Sequence, residues 1–89
     1  MSVFILYSTE SCHLCEQAQA LLVPVLNHVN AMAQTPVRLQ VQDIADSEAL
    51  VARYGVRIPV LCYAAGGQEL AWPFDQAQAF AFIQSCTRI

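Results

Sequence analysis

Cys12-His13-Leu14-Cys15 comes five residues after the end of an apolar run, Val3-Phe4-Ile5-Leu6-Tyr7, and opens a stretch of helical periodicity. A pair of thiols thus falls on a strand-to-helix junction. At a helix start the first amide N–H groups lack intrahelical acceptors and the aligned peptide dipoles present partial positive charge, and both favour a thiolate over a thiol. Residues three apart on a helix have Cβ atoms about 5–6 Å apart, while a relaxed disulfide wants roughly 3.5–4.5 Å. A Cys12–Cys15 bridge can therefore form and reopen, with one thiol attacking and the other resolving. The same pair also suits two small buried hydrophobes or half of a zinc site.

Composition narrows the choice. The chain has 89 residues, 56% of them hydrophobic and 12% charged, enough for one compact domain spanning residues 1–89 with its own filled interior. Four Lys or Arg against seven Asp or Glu give a net charge of −3, which argues against nucleic acid, since phosphate neutralisation needs clustered cations. The amino terminus lacks the basic region and small-residue cleavage site of a secretory signal. No stretch reaches the roughly 18 to 20 apolar residues of a membrane span. A cytoplasmic protein without membrane contact is expected, and in a reducing compartment cysteine pairs are more often catalytic or metal-binding than structural.

Val3 to Tyr7 reads as a strand buried on both faces. From Cys12 to about Met32, Leu14, Ala18, Leu21, Leu22, Val25, Leu26 and Val29 recur at the helical period, with a kink or break expected at Pro24. Val37-Arg38-Leu39-Gln40-Val41-Gln42 alternates as a half-exposed strand. Asp46 or Ser47 caps a short helix through Tyr54, and Gly55 is placed for a left-handed residue ending it. Val56 to Ala65, a Gly66-Gly67 turn and Gln68 to Trp72 form a hairpin. Asp75 with Gln78 forms a helix-opening box for a last helix running toward Cys86. The first two strands, joined through a helix, must be parallel, and the order is βαβαββα.

Taken together, Tyr7-x-x-x-x-Cys12-His13-Leu14-Cys15-Glu16, the stretch Tyr54-Gly55-Val56-Arg57-Ile58-Pro59-Val60 and this element order resemble the glutaredoxin-like branch of the thioredoxin superfamily over essentially the whole chain. The resemblance implies an α/β thioredoxin/glutaredoxin-like fold, a four-stranded mixed sheet flanked by helices. It also implies that Pro59 is a cis proline facing the cysteine pair, with Ile58 offering its backbone to an extended substrate. Residues alone would assign an ordinary trans proline, because about 5–6% of X–Pro bonds are cis. Where glutathione-using relatives carry Gly-Gly-x-Asp before the last helix, this chain has Trp72-Pro73-Phe74-Asp75: the aspartate is kept and the glycines are not. Arg57 is a rough stand-in for the basic residue that helps hold glutathione in such relatives.

Cys12, at the helix start, is the expected nucleophile, with a pKa lowered from about 8.5 into the range of roughly 4 to 7.5, and Cys15 the resolving thiol. His13 either adds positive charge beside the thiolate or is a solvent-facing spacer, while Glu10 and Glu16 disfavour a nearby anion. Cys62 and Cys86 read as small core residues. A zinc site from Cys12, His13, Cys15 and Cys62 is disfavoured, because adjacent ligands point apart and no second close pair exists. Thr9, three residues before Cys12, matches a peroxidase-type pattern too short to carry weight.

The expected function is thiol–disulfide exchange by Cys12 and Cys15, with Ile58, Pro59, His13 and Asp75 on the substrate side. No tightly bound cofactor or metal is expected. The partners are a disulfide-containing protein or small thiol substrate and a reductant, either glutathione or a thioredoxin-type reductase system, with the protein a monomer. The alternative is a non-catalytic redox-sensing or interaction module, and metal or iron–sulfur delivery is a third possibility.

Overall fold

The structure is a computed structural model that describes residues 2–87; of the expected domain, residues 1, 88 and 89 lie outside the described residues. Its elements are β1 (Ser2–Ser8), α1 (His13–Met32), β2 (Val37–Asp43), a 3-10 turn (Ile44–Asp46), α2 (Glu48–Tyr54), β3 (Val60–Tyr63), β4 (Glu69–Ala71) and α3 (Gln76–Thr87). The strands form one sheet in the order β2-β1-β3-β4. β1 is parallel to β2, with Ser2 beside Val37 and Ser8 beside Asp43, and antiparallel to β3, with Phe4 beside Tyr63 and Tyr7 beside Val60. This is the expected α/β architecture.

Alternation along the strands sorts side chains onto two unequal faces. On one, Phe4, Leu6, Val37 and Leu61 meet Ala18, Leu22, Val25 and Val29 of α1 and Ala79 and Ile83 of α3. Each large apolar side chain fully buried there contributes about 1.5–3 kcal/mol. On the other face Ile44, Tyr54 and Val60 form a smaller cluster with Tyr7, Leu50 and Ile58. β1 is therefore not buried on both faces as its continuous apolar run suggested: Phe4, Leu6 and Ser8 are buried, while Val3, Ile5 and Tyr7 are half-covered. The short α2 has too few residues to roof the second face.

Pro24 does not break α1, which runs through it as one 20-residue helix. Both Pro24 and Ala20, whose carbonyl loses its amide partner, lie on the exposed side, where water satisfies the freed group. One residue along, the Gln76 side-chain amide donates to the Leu21 carbonyl at 3.5 Å, tying α3 to the same stretch. Gly55 differs from expectation too. It is right-handed (φ −52°, ψ −35°), and α2 ends because the Tyr54 carbonyl accepts from the N–H groups of both Arg57 and Ile58. A Cβ at Gly55 would lie 2.6 Å from the Val51 carbonyl oxygen, which accounts for the glycine.

The third strand is shorter than its apolar stretch. Residues 56–59 leave the ladder, since Pro59 has no N–H and the Arg57 and Ile58 amides are engaged by Tyr54. The hairpin closes at Gly67 (φ +78°), whose N–H donates to the Tyr63 carbonyl, and β4 is trimmed to Glu69–Ala71. The caps match expectation: Ser47 Oγ accepts from the Leu50 N–H, and Asp75 and Gln78 bond reciprocally, Asp75 Oδ1 from the Gln78 N–H and Gln78 Oε1 from the Asp75 N–H.

Asn30 fixes the return from α1 into the sheet. Its Oδ1 accepts from the Val37 N–H at 2.7 Å and its Nδ2 donates to the Val37 carbonyl at 3.0 Å. Asn30→Ala is expected to lower the unfolding free energy by about 1–2 kcal/mol, read from urea denaturation. Asn30→Asp, which keeps the acceptor alone, should fall between the two.

Candidate active site

The sheet's geometry assembles the site at one end. β1 ends at Ser8 and β3 begins at Val60, and their antiparallel register carries Pro59 alongside Ser8, next to the segment that leads to Cys12. The Trp72 N–H donates to the Pro59 carbonyl at 3.1 Å, bringing the start of α3 to the same end. The Ile58–Pro59 and Trp72–Pro73 peptide bonds are both cis.

Between β1 and α1 the chain turns through Ser11, which has φ +59°. A non-glycine residue in this left-handed region costs roughly 1–2 kcal/mol and is a feature of functional turns. Cys12 follows in an extended conformation as the N-cap, the place usually taken by Ser, Thr, Asp or Asn. Its Sγ accepts from the Cys15 N–H at 3.1 Å, while the first α-helical bond runs from the Glu16 N–H to the Cys12 carbonyl. The sulfur thus sits where the helix presents unpaired amides and the positive end of its dipole. Cys12 and Cys15 are joined as a disulfide with Cα atoms 5.2 Å apart. Cys12 is half-buried and Cys15 buried, so the two sulfurs differ in access to an incoming group.

The remaining anticipated residues are placed less uniformly. His13 projects into solvent in the first turn of α1, with Nδ1 3.6 Å from a Glu16 carboxylate oxygen. Pro59 is buried and Ile58 half-buried against Tyr7, Ile44, Tyr54 and Val60. The Ile58 N–H is already donated to the Tyr54 carbonyl at 3.0 Å, which leaves the carbonyl as the backbone group of Ile58 able to pair with an added strand. Asp75 is exposed at the start of α3, one carboxylate oxygen committed to capping. Phe74 is a core residue and Trp72 packs edge-on against it at 5.1 Å, so the segment that replaces the glycines is filled by side chains. Cys62 is buried in β3 and Cys86 half-buried in α3; burial pushes both thiols up, so neither is an activated nucleophile.

One network had no local signature. The Tyr54 ring stacks on Tyr7 at 4.2 Å, and its hydroxyl donates to Glu69 Oε2 at 2.5 Å. Arg57 donates to Glu69 Oε1 at 2.8 Å, Arg53 lies 3.8 Å from the same carboxylate, and both guanidiniums approach the Tyr54 ring. Burial, then its bond to Glu69, raises the Tyr54 hydroxyl well above its usual range; the Tyr54 and Arg57 hydrogen bonds hold the Glu69 carboxyl below the ordinary one. Among the described residues no group of three or more His, Cys, Asp or Glu side chains is arranged to hold a metal ion.

The family model of the glutaredoxin-like domain (DUF836) matches residues 3–84. The chain belongs to this glutaredoxin-like family. Solved structures agree with that placement. A crystal structure of target protein XcR50 from X. campestris is 35% identical, with 92% of this chain and 96% of that one covered and a TM-score of 0.66. A solution structure of XcR50 gives 33% identity, coverage of 96% and 95%, and a TM-score of 0.71. Protein Ne2328 from Nitrosomonas europaea is 30% identical over 91% of this chain and 89% of its own, with a TM-score of 0.68. No curated protein matches. Within this glutaredoxin-like chain, the disulfide-paired Cys-x-x-Cys points to thiol redox function.

The network makes a test of its own. A carboxyl held below its unfolded value of about 4.3 stabilises the fold fully above that pH, and loses this contribution as the pH falls through the lower folded value. Glu69→Gln should lower stability by about 1–2 kcal/mol at pH 7, toward the small end for hydrogen bonds to charged groups because Arg57 is partly exposed. The gap from the parent protein should shrink as urea midpoints are followed down to pH 3.

Proposed function

We propose that the protein is a thiol–disulfide oxidoreductase in which Cys12 is the nucleophile and Cys15 the resolving thiol. The observation that carries this is the Cys15 N–H donated to the Cys12 sulfur at the start of α1, an arrangement that stabilises a thiolate there. The difference in burial between the two cysteines supports the division of roles.

In the reduced protein the Cys12 thiolate attacks a substrate disulfide, forming a Cys12 mixed disulfide and expelling one substrate thiolate, which takes a proton from solvent. Cys15, losing its proton, then attacks the Cys12 sulfur and releases the second substrate thiol. Two electrons pass to the substrate and the Cys12–Cys15 disulfide remains. A reductant, glutathione or a thioredoxin-type reductase system, returns the pair to dithiol. Pro59 and the Ile58 carbonyl line the approach to Cys12, where an extended protein segment pairs in β fashion. Asp75 and His13 border it, Asp75 beside the α3 amides and His13 exposed in the first turn of α1. The protein acts as a monomer, and a cycle of this kind suits the reducing cytoplasm.

Cys12→Ser should abolish exchange, and Cys15→Ser should accumulate a covalent mixed disulfide visible by mass spectrometry. Alkylation of Cys12 should reach its half-maximal rate at a pH well below the ordinary thiol value of about 8.5. Equal trapping by both variants would reject the assignment of roles. Many reductions per molecule with reductant supplied, rather than one stoichiometric reaction, separate a catalyst from a redox-toggled binding module.

A further inference from the structure

The topology sorts this chain's charges by end. Because β1 and β2 are parallel, both finish at the end where Cys12 emerges, with Asp43 beside Ser8. The 3-10 turn and α2 begin there, bringing Asp46 and Glu48. The Trp72-to-Pro59 hydrogen bond brings Asp75 to that end as well, and Glu10 and Glu16 flank the cysteines in sequence. Of the seven carboxylates in the chain, these leave only Glu69 elsewhere.

Among the described residues, cations do not balance them. The chain has no lysine, and Arg38 lies beside Val3 toward the opposite end of the sheet. The other described arginines, Arg53 and Arg57, are both drawn to Glu69, Arg57 at 2.8 Å. Arg57 stands two residues before Pro59 and would otherwise be the cation offered to a substrate at the dithiol.

We infer that Glu69 is a specificity-determining residue: by pairing with Arg57 and Arg53 it keeps the dithiol end anionic, selecting disulfides borne on cationic or neutral segments over anionic ones. This deepens the exchange function proposed above and rests on it. The positive end of α1 does not cancel the effect. Its field falls off within the first turn and acts on sulfur, whereas the surface carboxylates act on the approaching partner across about a Debye length, ~10 Å at 0.1 M salt.

The test uses three small disulfides of similar size: cystamine (dication), bis(2-hydroxyethyl) disulfide (neutral) and 3,3′-dithiodipropionate (dianion). Each oxidises the reduced protein to the Cys12–Cys15 disulfide and yields two small thiols. Rates are measured at pH 7.5 and divided by the rate of the same disulfide with 2-mercaptoethanol, which removes intrinsic reactivity. The expected order is cystamine, then neutral, then dianion, with about tenfold between the extremes at low ionic strength, collapsing to within about twofold at 1 M NaCl.

Glu69→Gln should speed the dianion and narrow the spread at least about twofold, and Arg53→Gln/Arg57→Gln/Glu69→Gln should restore the wild-type spread. The surface variant Glu10→Gln/Glu16→Gln, which leaves the Tyr54 network intact, should narrow the spread as well. A dianion as fast as cystamine, or a spread unmoved by Glu10→Gln/Glu16→Gln, overturns the charge preference while leaving exchange standing. A folded Glu69→Gln protein with the wild-type spread overturns the role of Glu69. No reaction with any of the three overturns exchange, and the preference with it.

Discussion

Everything at the functional end follows from how β1 is held. Phe4 and Leu6, both fully buried, fix its register against the α1 and α3 side of the sheet, and its central position gives it a parallel neighbour on one side and an antiparallel one on the other. Because side chains alternate, shifting β1 by one residue would expose Phe4 and Leu6 and bury Ile5 and Tyr7 in their place. The register that buries them therefore also sets where the chain leaves the sheet, and with it the start of α1. Placement of the Cys12 sulfur here is a by-product of core packing.

The local signals were the readable ones. Cys12 and Cys15 at a helix start, Ser47 as a cap, and the Asp75–Gln78 box depend on residues within a turn of one another, so the sequence pattern carries them. The boundaries of β3, the right-handed Gly55 and the half-covered second face do not. Each depends on the Tyr54 carbonyl taking the Arg57 and Ile58 amides, or on how little of the sheet a seven-residue helix can roof. The Tyr54–Glu69–Arg57 network spans residues far apart in the chain, and nothing near Glu69 marks it as more than a strand residue. Ser11 in a left-handed conformation was equally silent, since a glycine or asparagine would have been the usual sign.

Two kinds of electrostatics meet at this end. Main-chain amides of α1 act at hydrogen-bond range on one atom, and fixed side-chain charges act over longer distances on whatever approaches. Because the first is built from backbone and the second from surface residues, substitution can alter the second and leave the main-chain hydrogen bonds in place. The chain has no lysine, and among the described residues Arg53 and Arg57 are engaged by Glu69.

The hydrogen bond from Ile58 to Tyr54 carries a last implication. Under the exchange proposed above, a polypeptide laid along Pro59 would meet one main-chain anchor at residue 58 where a free edge would supply two. Grip would then depend on a carbonyl and on whatever side chains such a visitor brought, favouring brief encounters with varied sequences over durable capture of one.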